Sequence, residues 1–587
     1  MTKRLIALLA RPWTPLTAAV VGTVLTLPAL GGGLLYDDYF HRSILLGVGT
    51  LGRDAHPVFE LFSFIPRGPR HEAMMAKEML TWWVHPDLSI ALLRPLSALT
   101  YMLDYALWPD VFAAQHLHSL LWYGLAVFAV ATLYRQIHGA TAIAGLAAIL
   151  FAVDGSHAMC VGWLANRHAL ITLTVGIFAV QAHVRWQRGG GTAWAVVAAA
   201  TFAAGLFCSE AGLAAAAYVA AWQLTMDDGT WKNRIAALLP YGILVIGWRV
   251  IYEHLGYGST GSSLYVDPGH HPVDFLLALA ERWPTLQLAQ WFQVSSDAFA
   301  FLPRTGQIGL AVVGAAACLV LIRVFRPLLA ESREARFWAT GMSLALVPLC
   351  AAFPMDRLLL FSGVGAFALL ALLVEHLGLL PGSTTSRSTG RTFARVMIVL
   401  HGPLAAVLLV ARVAVLPLLG APMDSVAANV PADSNAPRQT FVFVNGSEMF
   451  SVYLGVIREM ETPALAPRRV ALLASIFNDN AIYREDADTL VITAQGGFLR
   501  AAADQLMRSL DTPFKIGEQI ERPDFTATVR ADTADGRPEQ MAFRFRAPLE
   551  SPEYRWLACG GKGVREFRLP PVGSQIDLPV VNILSVF

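Results

Sequence analysis

Eleven runs of about 17–25 mostly apolar residues follow one another along the first 420 positions, and that succession restricts the fold severely. A run of this length spans a bilayer as a helix, and only helices or closed barrels satisfy their backbone hydrogen bonds there. The runs lie near residues 13–35, 112–133, 140–154, 168–184, 192–208, 211–226, 233–252, 306–322, 337–353, 358–375 and 396–419. Segments 91–108 and 273–300 read as amphipathic or re-entrant helices.

The rest of the composition agrees. Hydrophobic residues make up 55% of the 587 positions and charged ones 15%, with a mean hydropathy of +0.50; soluble domains carry roughly 25% charge. A net charge of +1 gives no electrostatic reason to expect nucleic acid. Five scattered cysteines without a C-x-x-C pair indicate neither a zinc site nor a disulfide framework. Cys160 and Cys208 fall at the same membrane face in this reading, without a spacing that calls for a bridge. The start, "MTKRLIALLARPWTPLTAAVVGTVLTLPAL", has a basic head and a long apolar run without a small-x-small cleavage site, and reads as an uncleaved first helix.

Short cytoplasmic loops hold the Lys and Arg of a membrane protein. With the N-terminus inside, the inner segments contain Lys3, Arg4, Arg11, Arg135, Arg185, Arg188, Lys232, Arg234, Arg323, Arg326, Arg333, Arg336, Arg387, Arg391 and Arg395. The short outer turns hold little beyond Arg167 and Arg357. This orientation puts the polar C-terminal region outside. It also gathers Asp37 and Asp38, the loop 36–110, the turn 153–168, the hairpin 208–212, the loop 252–271 and the turn 353–357 at one face.

From residue 421 the composition changes. "RQTFVFVNG", "RRVALLAS" and "ADTLVITAQGG" read as strands, and "FTATVRADTADGRPEQMAFRFRAP" as a hairpin turning on Asp535-Gly536. Helical patches fall near 448–460 and 498–509, and the region 421–587 is expected to be a β-rich sandwich or open barrel. Residues 380–391 read as a flexible basic cytoplasmic loop, and Asn445-Gly446-Ser447 matches a glycosylation acceptor pattern.

The residues with chemical potential cluster at the outer face. Asp37 and Asp38, in "GGGLLYDDYFHRS", either cap a surface helix or supply a general base, or a cation ligand, beside a lipid-linked phosphate. Two adjacent carboxylates repel, which raises the pKa of one and suits a base. Arg94 lies in an apolar segment, where it either snorkels to the interface or binds phosphate with its planar fork. Arg167 and Arg357 present the same alternatives. His157, Trp163, Asn166, Arg167 and His168 crowd one turn, and Glu210 sits in a tight turn between two apolar helices. His270-His271 invites a metal reading but has no further ligand at a helical spacing.

Taken in order, "YDDYFH", "LRPLSALTYMLDYALW", "HLHSLLWYGLAVFAVATLYR", "LFAVDGSHAMCVGWLANRHALITL", "LFCSEAGLAAAAYVAAW" and "FPMDRLLLFSGVG" resemble the C-type (GT-C) membrane glycosyltransferases. They are most similar to the transmembrane O-mannosyltransferases that carry tetratricopeptide repeats and to their bacterial relatives. The resemblance covers about residues 13–375. It implies a polyprenyl-phosphate sugar donor, an extracytoplasmic protein or glycan acceptor, and a catalytic acid in the first outer loop, falling on Asp38 or Asp37 with Asp38 preferred. Arg94, Arg167 and Arg357 are then expected near the donor phosphate, with His157, Trp163, His168 and Glu210 lining the same cleft. The chain departs from the family in reading "DGSHAM" where an H-P-x-H-T-E pattern is usual, with Met159 in place of the acid. It has Ser209-Glu210 in place of Lys-Glu, and no repeats.

The expectation is therefore a mainly α polytopic protein, with a GT-C-like transmembrane domain over 1–420 and an extracytoplasmic β-rich domain over 421–587. Its function would be that of an inverting glycosyltransferase of the cell envelope. The alternative is a non-catalytic membrane protein that binds a prenyl-linked lipid or scaffolds envelope partners. These residues make no cofactor certain, and a divalent cation, Mg or Mn, stays open. A bacterial inner membrane is expected, with the N-terminus cytoplasmic and the C-terminal domain periplasmic.

Overall fold

The computed structural model describes residues 3–379, 388–501, 503–561 and 563–581. All eleven apolar runs are helical. Among the described residues, seven helices are long and apolar enough to cross a membrane: Thr14–Gly31, Phe112–His138, Leu164–Gly190, Trp231–His254, Arg304–Glu331, Asp356–His376 and Gly390–Gly420. An eighth is gained if Ala142–Ala152 and Gly155–Gly162, which meet at 43°, count as one span. The expected eleven is not reached on this criterion, for local reasons. Asp154 interrupts one run by bonding its own neighbour Ser156, Leu213–Thr225 has only 13 residues, and Thr192–Cys208 and Arg333–Leu349 have 17 each.

The chain is a polytopic membrane protein, and its helices sort by what surrounds them. Asp356–His376 is enclosed along nearly its whole length. Arg304–Glu331 leaves Val312, Leu319 and Ile322 at least 60% exposed, an outward apolar face suited to lipid rather than water. The expected amphipathic segments are the helices Pro95–Leu107 and Pro272–Phe292. Of the basic loop 380–391, residues 380–387 lie outside the described set, and Ser388–Val399 is a helix. Cys160 and Cys208 are free thiols.

At one end of the helices the loops fold together. Strands Ser63–Ile65 and Ser89–Ala91 of the first loop pair antiparallel, and Gly258–Thr260 of the 252–271 loop joins them. In the C-terminal region, six antiparallel strands run in the order Gln575–Leu578, Asn480–Arg484, Thr489–Ala494, Pro538–Phe545, Phe525–Asp532, Gln519–Glu521. The expected hairpin is the Phe525–Asp532 and Pro538–Phe545 pair, with Gly536 at φ 79° in its turn.

The second sheet differs from a simple sandwich or barrel. Its order is Gly563–Glu566, Tyr554–Gly560, Thr440–Phe443, Arg469–Leu472, and both pairings of Thr440–Phe443 are parallel. A parallel pair needs a crossover, and the helix Glu448–Glu461 supplies it between Thr440–Phe443 and Arg469–Leu472. The helix expected over 498–509 is replaced by a single turn, Asp504–Leu506. Phe498 is instead drawn onto Pro538 by a 2.7 Å backbone bond and packs against Trp82, with Leu499 at φ 58°.

The long loop 36–110 and the C-terminal region share one hydrophobic core. Trp82, Trp83, Leu80 and Phe62 of the loop join Phe441, Leu473, Phe525 and Phe543 of the sheets in a continuous cluster. The indole of Trp82 also donates to the Leu473 carbonyl at 2.9 Å. Asn445 is buried, with its side chain bonded at both ends to Cys559, so its glycosylation pattern is closed to modification.

Candidate active site

The first helix ends in Leu27–Gly31, and residues 32–35 leave it extended before the helix Asp37–Leu46 begins. Between them Tyr36 adopts φ 42°, ψ −108°, a conformation that costs a non-glycine residue energy and persists only where its surroundings enforce it. Three bonds do so. Asp38 Oδ2 accepts from the Leu35 N–H at 2.8 Å and Oδ1 from the Ala165 N–H at 2.6 Å, while the Trp163 indole donates to the Leu35 carbonyl at 3.0 Å. Together they clasp the lip to the 163–165 turn, and the Tyr36 ring lies edge-on to Trp163.

The two adjacent aspartates therefore differ in environment. Asp38 is buried, and each of its oxygens holds a backbone N–H. Asp37 accepts one bond at Oδ1, from the Tyr453 hydroxyl at 2.8 Å. Burial pushes the Asp37 carboxyl above the usual range, while the Tyr453 hydroxyl, Arg357 and Arg94 pull it back. Asp38 is raised further by burial and by the Asp37 charge, against the two N–H bonds and Arg167.

The arginines also part company. Arg357 lies over the Trp163 ring at 5.4 Å, its Nε is buried without a partner, and among the described residues no carboxylate pairs with it. Tyr265 stands within electrostatic reach of Arg357, Asp37 and Arg94 together. Arg94 is engaged on three sides: Nε and Nη2 reach Glu210 at 2.9 and 2.8 Å, Nη1 donates to His168 Nε2 at 2.8 Å, and the guanidinium lies over Phe62. That contact makes His168 Nε2 the acceptor. Glu210 also accepts from the Tyr252 hydroxyl at 3.1 Å. Its turn is set by close backbone contact, since a Cβ at Gly212 would lie 2.5 Å from the Gly205 carbonyl oxygen.

Arg167 is held elsewhere. Its guanidinium is buried and bonds Asp104, the Ser119 hydroxyl at 2.8 Å and the Gln115 carbonyl at 2.8 Å, under the ring of Tyr101. All of its donor groups serve the protein. His157 is buried in a second polar group, its Nδ1 at 3.1 Å from the Tyr123 hydroxyl and its Nε2 at 3.8 Å from Asp154. His41 sits among Phe62, Phe64 and Tyr101, pushed down to about 3 by burial and the charges of Arg94 and Arg167, and is neutral there.

Thus Asp37, Asp38, Trp163, Arg357, Arg94, His168 and Glu210 share one region, with Arg167 beneath it and His157 apart. Tyr453 and Tyr265 are additions that the sequence did not flag. Tyr453 lies 416 positions from Asp37, and no local pattern marks the pairing.

Among the described residues no three or more His, Cys, Asp or Glu side chains group closely enough to hold a metal ion. His270 and His271 each face a single aspartate, Asp267 at 3.3 Å and Asp274 at 3.5 Å. A hard cation takes about six oxygen ligands, whereas the lip offers Asp37 with one oxygen already bonded and Asp38 with both bonded. This donor set does not fit a Mg or Mn site made by the protein.

No family model matches the chain, and no curated protein matches it. Among solved structures it is similar to the archaeal oligosaccharyltransferase AglB from Archaeoglobus fulgidus. In complex with an inhibitory peptide and a dolichol-phosphate, that enzyme is 12% identical over 78% of this chain and 64% of its own, with a TM-score of 0.40. Tethered through a disulfide to an acceptor peptide containing the NVT sequon, it is 13% identical over 80% and 65%, again with a TM-score of 0.40. Its complex with Zn and sulfate gives 12% identity over 78% and 63%, with a TM-score of 0.39. The chain thus spans less than two thirds of the length of these structures.

Proposed function

We propose that the chain is a membrane glycosyltransferase working at its outer face. It would move a sugar from a polyprenyl-phosphate donor to an extracytoplasmic protein or glycan, with inversion. One observation carries the reading: a half-buried carboxylate with an oxygen to spare, Asp37, stands at the end of the first span within the field of two arginines. Asp37 Oδ2 accepts the acceptor's proton as the acceptor atom attacks the anomeric carbon. The bond to the donor phosphate breaks on the opposite face, and its electron pair leaves with the phosphate. Arg357, without a carboxylate partner among the described residues, and Arg94, oriented by Glu210, face that growing negative charge. Asp38 serves by fixing the lip, and Arg167 by holding the turn beneath it. The outer face is taken as periplasmic, as the distribution of Lys and Arg predicts.

The test is transfer from a panel of labelled polyprenyl-phosphate sugars into endogenous acceptors, in membranes containing wild type, Asp37→Asn or Asp38→Asn at matched levels. Incorporation by wild type that Asp37→Asn abolishes supports the reading. Equal incorporation by Asp37→Asn overturns the assignment of the base. Saturable donor binding without transfer by any form favours the non-catalytic alternative, to which Met159 in place of the family's acid also points.

A further inference from the structure

We propose that Tyr453, carried on the Glu448–Glu461 helix of the C-terminal region, is a positioning residue for Asp37: its hydroxyl holds Oδ1 and leaves Oδ2 as the proton-accepting atom. This rests on the reading of Asp37 as the base. The hydroxyl donates to Oδ1 at 2.8 Å, and the side chain is 7% exposed. Tyr36, Tyr39 and Phe40 surround the ring, with centroids at 6.2, 6.4 and 5.3 Å, so the hydroxyl has little freedom to turn away.

The helix behind it is anchored at its far end. Glu459 accepts from the Thr50 N–H at 2.6 Å and its hydroxyl at 2.9 Å, and lies 3.4 Å from Lys77. Arg458 donates to the Val430 carbonyl at 2.7 Å. A terminal carboxylate torsion is broad and roughly two-fold, so a fixed donor on one oxygen is what decides which oxygen meets the acceptor. On this view the C-terminal region completes the catalytic site, besides any part it has in presenting acceptors.

The groups facing Asp37 are Tyr453 from this helix, Arg357 from the 356–359 turn, Arg94 ahead of the Pro95–Leu107 helix, Tyr265 from the 252–271 loop, and Asp38 and Tyr36 beside it. Tyr453→Phe removes one oxygen atom and one of the three influences that lower the Asp37 pKa. Two measurements on the full-length protein test the proposal. The first is the pH profile of transfer, whose acid limb is expected to move up by about one unit, with kcat lowered and donor KM unchanged. The second needs no turnover: labelling of Asp37 by a hydrophobic carbodiimide, which reacts with protonated carboxyls, followed by peptide mass spectrometry across pH, with Asp38 as internal reference. The labelling midpoint of Asp37 is expected to rise in Tyr453→Phe.

An unchanged midpoint, or no labelling of Asp37 at any pH, would overturn the proposal. Failure of wild type to transfer sugar, with the labelling midpoint still moving, would remove the glycosyltransferase reading and leave the Tyr453 to Asp37 linkage standing.

Discussion

The guanidinium of Arg522 donates twice to Oε2 of Glu78, at 2.9 and 2.7 Å, and neither side chain is more than 2% exposed. Glu78 belongs to the long loop 36–110 and Arg522 to the C-terminal region, so a buried ion pair crosses the junction between segments 444 positions apart. Arg522 also donates to the Leu80 carbonyl at 2.6 Å. Breaking such a pair leaves an uncompensated charge in the core. Glu78→Gln is expected to lower stability by about 3–5 kcal/mol, read from unfolding of the purified protein by the fluorescence of Trp82 and Trp83. Glu78→Gln with Arg522→Met should recover part of that loss. An unchanged midpoint in Glu78→Gln would show that the loop and the C-terminal region are not held together here.

Asp37 and Asp38 should separate cleanly on substitution. Asn at 37 keeps an oxygen for the Tyr453 hydroxyl and loses only basicity, so transfer should fall by roughly 10²–10⁴-fold with the fold intact. Asn at 38 must turn its NH₂ toward one of two backbone N–H groups, Leu35 or Ala165, leaving a buried donor unmatched. That costs about 1–3 kcal/mol and lowers the melting temperature. The reverse pattern, a stable and inactive Asp38→Asn beside an active Asp37→Asn, would return the base to Asp38.

The raised pKa of Asp37 also gives stability a sign. Its folded pKa lies above the ordinary 3.8, so between those two values the folded chain holds a proton that the unfolded chain has released. Stability contributed by this group is therefore present below the unfolded pKa and falls as pH rises through the window. Asp37→Asn cannot release a proton, so it should gain stability over wild type as pH rises through that window and show no such gain below it. Unfolding curves of the two proteins at several pH values check this, and a difference independent of pH would contradict it. Transfer should fall as pH drops through the same raised value.

What the sequence discloses depends on how local the cause is. The apolar runs became helices because length and hydropathy are local, and the Asp535-Gly536 turn formed where φ above zero was needed. The segment 498–509 has a helical pattern, yet the Phe498 bond to Pro538 and its packing on Trp82 override it. The parallel pairing of Thr440–Phe443 likewise rests on a distant partner strand. At the site, "YDD" located the lip, but which aspartate is clasped depends on Ala165, 127 positions away. Arg167 and Arg357 look alike as lone charges at outer turns. Only the fold shows Asp104 paired with the first and, among the described residues, no carboxylate in ion-pair contact with the second.

That last contrast gives the sharpest prediction. Arg357 presents a buried Nε without a hydrogen-bond partner above the Trp163 ring, whereas Arg94 is already divided between Glu210 and His168. A guanidinium binds phosphate through two parallel N–H groups and stacks on an aromatic face, neither of which an ammonium reproduces. Arg357→Lys keeps the charge that lowers the Asp37 pKa, so the pH limb of transfer should stay in place while the fork is lost. Transfer is expected to fall roughly a hundredfold and binding of the labelled donor to weaken. Glu210→Gln, by contrast, leaves Arg94 charged and less firmly oriented, and should weaken transfer less than Arg357→Lys does. Donor binding and transfer measured side by side on the two variants decide the matter. Equal, small losses in both would mean that the phosphate is held elsewhere, and a loss confined to Glu210→Gln would assign the phosphate to Arg94.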